Sequence, residues 1–377
     1  MRSSDPFLEP RHEALDEKVR ALGEKHLRGG AEDGSDPEGR TRAIAALLGG
    51  AGILAAAVPA PYGTMDLRSL VVVREALAYY SSLADTAFAM QGLGSYAVSR
   101  AGTEVQKRRW LPGVVKGQTL CAFAATEPEA GSDLAAVRTR AEPDGAVWRL
   151  SGVKTLISNA GIAGLYTVLA RTSEKEGHRG LSLFLMDADA PGLTVKPLEP
   201  IAPHPLGEMR LEGAPAVLLG DEGKGFRLAL ATLDMFRASV GAAACGLAAR
   251  ALDEAVGHVL ARRQFGRPLA DFQATRMAIA DMQVELAGAR LLVRHAAWTK
   301  DQGAERITRE AAMAKLAATE MAQRVVDRAV QLHGGQGVMR GSTVERLYRE
   351  VRSLRIYEGT SEIQKLVIAG TILKEKK

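Results

Sequence analysis

Beyond Gly225 the chain runs through four long segments, 226–260, 271–298, 309–332 and 361–373, none of which has an interior proline. Proline inside a helix removes a backbone hydrogen bond and clashes with the preceding turn, so its absence leaves these segments free to be helical. In 309–332 the residues Met313, Leu316, Ala317, Met321, Val325, Ala329 and Leu332 recur at helical spacing and mark one apolar face. Long helices joined by short loops pack as a bundle. Residues 11–120 carry the same period over 13–22, 41–54 and 67–80, interrupted at Pro59, Pro61 and Gly63. Between these regions the period changes. The runs 147–150, 165–169, 181–185 and 193–195 are short and strand-like, separated by turn chemistry at 143–145, 174–180 and 190–192. The expectation is an α+β multidomain protein: a helical domain over 1–120, a compact β-domain or barrel over 121–221, and a four-helix-bundle-type domain over 222–377.

At 377 residues the chain is long enough to bury large cores, and its 46% hydrophobic and 25% charged residues are ordinary for a globular protein. No apolar run reaches the roughly 18 residues of a membrane span, 42–60 coming nearest, so no membrane is expected. The start, MRSSDPFLEPRHE, lacks the pattern of a signal or transit peptide, and a cytoplasmic protein is expected. Two cysteines far apart, Cys121 and Cys245, give no disulfide framework. Seven scattered histidines give no metal-binding spacing, so no metal is expected. The net charge of +5 favours anionic partners, yet the basic groups at 107–109, 262–263 and 374–377 are not interleaved with aromatic residues. Nucleic acid is therefore not an expected partner.

Two segments carry chemistry. Arg355-Ile-Tyr-Glu-Gly-Thr-Ser-Glu-Ile-Gln364 sets Glu358 among apolar or neutral residues and follows it with a glycine that admits close approach of a ligand. A carboxylate kept from water has a raised pKa and serves as a general base near neutral pH, although a helix-capping or turn glutamate would read the same way from this segment alone. Cys121-Ala-Phe-Ala-Ala-Thr-Glu-Pro-Glu-Ala-Gly-Ser-Asp133 is a loop by its Pro128 and Gly131. It offers the Thr126 and Ser132 hydroxyls and an unhindered backbone to a polar heterocycle or phosphate. The Gly334-Gly-Gln-Gly337 cluster follows a helix rather than a strand. It is thus read as a helix end with bare backbone, not as a dinucleotide fingerprint.

Together, TEPEAGSD and IYEGTSEIQ resemble the signatures of the acyl-CoA dehydrogenase family, and 262–273 and 331–337 agree with it. The resemblance covers nearly the whole chain, most weakly residues 1–60. It implies two helical bundles flanking a β-barrel, bound FAD, and oxidation of an acyl-CoA thioester to the trans-2-enoyl-CoA. Glu358 would be the base, with hydride transfer to flavin N5. It further implies an electron-transferring flavoprotein as acceptor and a multi-subunit assembly, expected to be a homotetramer. By match, Phe123, Ala125, Thr126, Gly131, Ser132, Leu156 and Ser158 would line the flavin. Arg262, Gln264, Phe265, Phe272 and Gln273, with Gln331, Gly334, Gly335, Thr360 and Glu362, would meet FAD across subunit contacts. Ser132, Asp234, Phe236, Arg237, Tyr357 and Gly359 would contact substrate.

Three positions depart from that pattern. Leu156 stands where many relatives have an aromatic residue, and Glu362 replaces a common glutamine. Phe236 occupies the position that carries an alternative base in some members, and its bulk is expected to shorten the acyl pocket. The resemblance leaves room for an oxidase or a carrier-protein-thioester dehydrogenase on the same fold. A non-enzymatic flavin-binding relative that binds nucleic acid is a more distant alternative, opposed by the retention of Glu358.

Overall fold

The computed structural model describes residues 5–28, 36–174 and 177–375. The turn expected at 174–180 and the basic group at 374–377 lie partly outside these residues. The chain divides into two compact units, one comprising Met1–Asp33, Leu67–Asp85 and Arg237–Lys377, the other Gly34–Asp66 and Thr86–Phe236.

The first unit is helical. It contains α1 (Pro10–His26), α3 (Leu67–Tyr80), α7 (Gln273–Asp301), α8 (Thr308–His333), α9 (Thr343–Ser353) and α10 (Ser361–Lys374), with the later part of α6 (Gly225–Ala261). The four proline-free segments are α6, α7, α8 and α10. By length and composition α6 is apolar enough to cross a membrane, which corrects the expectation that no such run exists; 67% of its most apolar window is buried inside the protein. Gly246 lets α6 approach α3, because a Cβ there would lie 2.2 Å from the Glu75 carbonyl oxygen.

Several buried charged side chains in this unit are paired. The carboxylate of Glu75 on α3 accepts from Arg290 Nε at 2.7 Å and Arg294 Nη2 at 2.9 Å, both on α7. Burial would raise its carboxyl, but these guanidiniums hold it below the usual range. The start of α3 is capped from a distance. Asp301, at the end of α7, accepts from the backbone N–H groups of Leu67 and Arg68 at 2.9 and 3.0 Å and from Arg68 Nε at 2.9 Å. Those N–H groups have no partner within the helix, so a carboxylate at the positive end satisfies donors and dipole together.

The second unit holds α2 (Pro37–Gly50), α5 (Glu104–Val115), most of α4 (Ser82–Ala101) and all of the main sheet. Its strands are β1 (Cys121–Ala124), β2 (Arg140–Asp144), β3 (Val147–Ser158), β4 (Leu165–Arg171), β5 (Leu181–Asp187), β6 (Leu193–Pro197) and β7 (Leu206–Leu219). They form one seven-stranded mixed sheet, in order β1-β4-β2-β3-β7-β5, with β6 on β7 and β5 also on β4. The expected barrel is not what forms. Antiparallel ladders join β2, β3, β7, β5 and β4, but β2 meets β4 through a single pair, Arg140 opposite Arg171. One residue pair does not make the continuous ladder that barrel closure requires. The four strand-like runs are β3 to β6; β1, β2 and β7 were not anticipated. Gln91 on α4 fixes the entry to the sheet. Fully buried, it donates to the carbonyls of Val114 and Thr119 and accepts from the N–H of Cys121.

Removing one partner of a buried ion pair strands the other, at a cost of about 3–5 kcal/mol. Asp301→Ala leaves two helix N–H groups unsatisfied and Arg68 with only Glu9 and the Phe7 carbonyl, and is expected to destabilise the protein by up to that order in urea denaturation. A loss of no more than about 0.5 kcal/mol, the size of an ordinary surface change, would remove the clasp from this role.

Candidate active site

The segment around Glu358 joins α9 to α10, and its geometry follows from how each helix ends. The Tyr357 N–H returns to the Ser353 carbonyl at 3.1 Å, and the Ser361 N–H to Arg355 at 3.1 Å. Thr360 caps α10, its hydroxyl accepting from the Ile363 N–H at 3.3 Å. Between these anchors the chain reverses through two left-handed residues, Glu358 at φ 53° and Gly359 at φ 94°. Glycine is required at 359 on two grounds. The left-handed conformation is one, and a Cβ there would lie 2.5 Å from Gln364 Nε2. The turn is held from outside by Gln364 and Lys315. Gln364 Nε2 donates to the Glu358 and Gly359 carbonyls at 3.2 and 2.8 Å, and Lys315 Nζ to Gly359 at 2.7 Å.

Glu358 is half-buried; its Oε2 is out of reach of water and has no hydrogen-bond partner among the described residues. Burial raises its pKa above the ordinary glutamate value; Arg74, Lys315 and Arg237 oppose the shift, and Asp85 adds to it. Arg74 on α3 is itself buried and committed. Its Nε and Nη2 meet the two Asp85 oxygens at 2.7 and 2.8 Å, and its Nη1 donates to Ser239 at 2.9 Å. Lys315 on α8 is fully buried, and burial lowers its ammonium to about 8. Below the turn, Glu320 accepts from Arg355 at 2.9 Å and from the Ser361 hydroxyl at 2.5 Å. Burial also pushes the neighbouring Tyr357 hydroxyl upward. The result is one poised carboxylate amid positive charge, suited to accepting a proton from carbon.

The remaining residues expected in the helical unit surround two features. A hairpin formed by β8 (Arg263–Gln264) and β9 (Arg267–Pro268) follows α6. Arg262, Gln264 and Phe265 are exposed on it, Phe265 to 92%, and Arg267 lies 4.1 Å over the Phe272 ring. Gln273 opens α7. Gln331 is exposed near the end of α8, and Gly334 and Gly335 follow with open space where a side chain would stand. His258 and His333 stack at 4.3 Å, joining the end of α6 to the end of α8. Thr360 and an exposed Glu362 lie at the start of α10. Arg237 is buried on α6.

The sheet unit carries the rest. Phe123 and Ala125 lie on or beside β1, Thr126 follows, and Gly131 and Ser132 are exposed. Lys154, fully buried on β3, fixes this loop by donating to the Ala125 carbonyl at 3.0 Å and to Glu127 at 2.9 Å. Glu127 also accepts from the Arg138 and Thr139 N–H groups at 2.7 and 2.9 Å. Leu156 is 61% exposed in a left-handed conformation, and the Ser158 hydroxyl lies 3.3 Å from His204 Nε2. Asp234 and Phe236 are on α6. Phe236 is fully buried, its ring set edge-on to Tyr96 in a notch that Gly92 leaves open; a Cβ at 92 would come within 2.3 Å of it.

Sequence reasoning missed Arg74, Asp85, Lys315 and Gln364 around the carboxylate, and Lys154, Glu127 and His204 around the loop. Lys315 left a signal. It falls on the stripe Ala311, Lys315, Ala318, Ala322 of α8, all buried, where a charge is out of pattern.

Three domain families match in succession: acyl-CoA dehydrogenase N-terminal domain over residues 9–118, middle domain over 122–214 and C-terminal domain over 223–373. The chain is 43% identical over 286 residues to an acryloyl-CoA reductase (NADH) of Anaerotignum propionicum, covering 74% of this chain and 72% of that one. It is 37% identical over 343 residues to a cyclohexane-1-carbonyl-CoA dehydrogenase of Geobacter metallireducens, covering 88% and 89%. The structure of butyryl-CoA dehydrogenase from Megasphaera elsdenii matches with a TM-score of 0.91 at 32% identity, over 97% of this chain and 99% of that one. With three domain families in order and relatives aligned over most of their length, the chain belongs to the acyl-CoA dehydrogenase family.

Proposed function

We propose that the protein is an FAD-dependent acyl-CoA dehydrogenase that forms the trans-2-enoyl-CoA, with Glu358 as the base. The observation that carries this reading is the buried Oε2 of Glu358, without a partner among the described residues, on a backbone turn fixed by Gln364 and Lys315. The α-proton of a thioester is weakly acidic, so its removal needs a base held close and charge stabilisation for the developing enolate oxygen. Glu358 Oε2 is free to accept that proton. The Glu358 N–H has no acceptor among the described residues and is available to the thioester carbonyl. Tyr357 and Gly359 flank the base, and Arg237 adds positive charge against it.

The residues present fit FAD. Arg262, Gln264 and Gln331 offer exposed donors suited to a pyrophosphate, and the backbone at Gly334 and Gly335 is open to a close-lying ligand. In the sheet unit, Thr126, Ser132 and Ser158 offer hydroxyls, with Phe123, Ala125, Gly131 and Leu156 alongside. Phe272, Gln273, Thr360 and Glu362 complete the set by match to the family. When bound, FAD supplies the two-electron acceptor for the β-hydrogen. The domain limits at 120 and 221, a homotetramer, and an electron-transferring flavoprotein as acceptor belong to the same reading. The exposed Phe265, Val338 and Met339 support assembly, being apolar surface that a second copy would cover. A second reading runs the same site reductively, on an unsaturated acyl-CoA, and is favoured by the likeness to the acryloyl-CoA reductase.

Glu358→Gln keeps size and removes the base. Anaerobic bleaching of the bound flavin by acyl-CoA is expected to slow by about 10²–10⁴, with FAD retained and enoyl-CoA binding preserved in the visible spectrum. Near-normal bleaching would exclude Glu358. A panel of saturated and unsaturated acyl-CoAs, assayed in both directions with NADH present and absent, separates the two readings. Net reduction by NADH would favour the second.

The same variant has a signed effect on stability. The raised carboxyl pKa means that Glu358 stabilises the folded state fully below its unfolded pKa, and that this contribution is lost as pH rises through the folded value. Glu358→Gln, which cannot ionise, is therefore expected to have a higher Tm than wild type at pH 8 and a smaller difference at pH 5. A lower Tm at pH 8 would mean that the surrounding cations need the charge more than burial opposes it.

Assembly is checked by sedimentation with absorbance at the flavin band: the expected species is a yellow tetramer. A monomer holding stoichiometric FAD would contradict the assignment of Arg262, Gln264, Gln331, Gly334 and Gly335 to a neighbour's cofactor.

A further inference from the structure

A lysine with no exposed surface is expensive to keep charged, and on the buried stripe of α8 a leucine or methionine would pack without that cost. Lys315 nevertheless sits there, with its ammonium 2.7 Å from the Gly359 carbonyl. No carboxylate lies within 4 Å of it among the described residues, so its charge is not consumed by a direct ion pair. The groups that act on it are Glu358, Glu320 and Glu362, which favour the charge, and Arg237, which opposes it. Those that act on Glu358 are Arg74, Lys315, Arg237 and Asp85. Arg74 acts most strongly on Glu358, but it is held bidentate by Asp85, whose charge opposes it there in part. Lys315 differs from Arg74 in combining a mechanical contact with the turn and a charge bound only to a neutral carbonyl.

We propose that Lys315 is a positioning residue for the reaction, pinning the left-handed Glu358–Gly359 turn through the Gly359 carbonyl and supplying positive charge against which the Glu358 carboxylate forms. The inference rests on the reading of Glu358 as base. Its mechanical part stands on the hydrogen bond and the two positive φ values. Its electrostatic part stands on a lysine with no exposed surface held on the carbonyl of the residue next to Glu358, where screening by water is weaker than at a surface. Burial lowers the lysine to about 8, while Glu358, Glu320 and Glu362 act to keep it charged.

Two substitutions separate the parts. Lys315→Met removes contact and charge, and Lys315→Gln keeps an amide donor without the charge. Both are made in the full-length holoprotein and read by anaerobic flavin bleaching against pH, beside enoyl-CoA binding and thermal melting. In both, the acid limb of the bleaching profile is expected to move to higher pH by about one unit, or about tenfold in rate on that limb. Enoyl-CoA affinity and FAD content should be little changed. The methionine variant should also lose rate on the plateau, where only the geometry of the turn matters, and the glutamine variant should recover part of it. A purely structural lysine would change the melting temperature and leave the limb in place. An unmoved limb in both variants overturns the proposal, and so does loss of folding in both, because the lysine would then be serving the fold. Failure of the underlying reading shows separately: Glu358→Gln would still bleach the flavin, whatever the lysine variants do.

Discussion

A buried carboxylate with one oxygen unpaired is costly to maintain, and the helical unit is arranged about that constraint. Glu358 Oε2 has no partner among the described residues, yet the Glu358 and Gly359 carbonyls on either side of the turn are both held by side-chain donors. The turn cannot relax, since Gly359 is wedged against Gln364 and Thr360 has already begun α10. Nor can solvent lower the cost. The charge is met instead by cations held at a distance, each tied elsewhere: Arg74 to Asp85, and Lys315 to a carbonyl. A base that was directly ion-paired would be easier to bury and weaker as a base, because a close cation lowers its pKa.

The same device recurs in the other unit. The loop carrying Thr126 is fixed by Lys154, fully buried, which donates to the Ala125 carbonyl at 3.0 Å much as Lys315 donates to Gly359 at 2.7 Å. The difference lies in what the second charge does. Lys154 is paired directly with Glu127 at 2.9 Å, and Glu127 is further satisfied by two backbone N–H groups and the Thr139 hydroxyl. That arrangement neutralises both charges and leaves a rigid loop. Lys315 has no carboxylate within 4 Å among the described residues, and its charge is not consumed by a direct ion pair. One buried lysine builds a scaffold; the other sits beside the carboxylate proposed as the base.

How much of this was legible follows from the range of each interaction. The long helices were read from proline placement and period, and Glu358 was singled out as a lone carboxylate followed by glycine, because those signals are local. The sheet was only half visible. β3 to β6 showed as apolar runs with turns between them, while β1 is four residues long and β7 pairs along β3 through two register shifts. A closed barrel was expected where one bridging pair joins β2 to β4, a matter of strand direction that short runs do not encode. Arg74, Asp85 and Gln364 escaped notice for a different reason. Each is an ordinary polar residue in its own segment, and its meaning comes from burial beside a turn far away in sequence, as with the Asp301 cap 234 residues from Leu67.

The central claim is that Glu358 takes a proton from carbon, and hydrogen exchange tests this apart from any redox step. An acyl-CoA whose β-carbon bears no hydrogen cannot be oxidised to an enoyl product, but its α-protons can still be removed and replaced. Incubated with the holoprotein in deuterium oxide and followed by mass spectrometry, it should gain α-deuterium with wild type, faster as pH rises through the titration of Glu358. With Glu358→Gln still holding FAD, exchange should fall to the level without protein. Exchange at the wild-type rate in that variant would contradict the account, because some other group would then be doing the work assigned to Glu358.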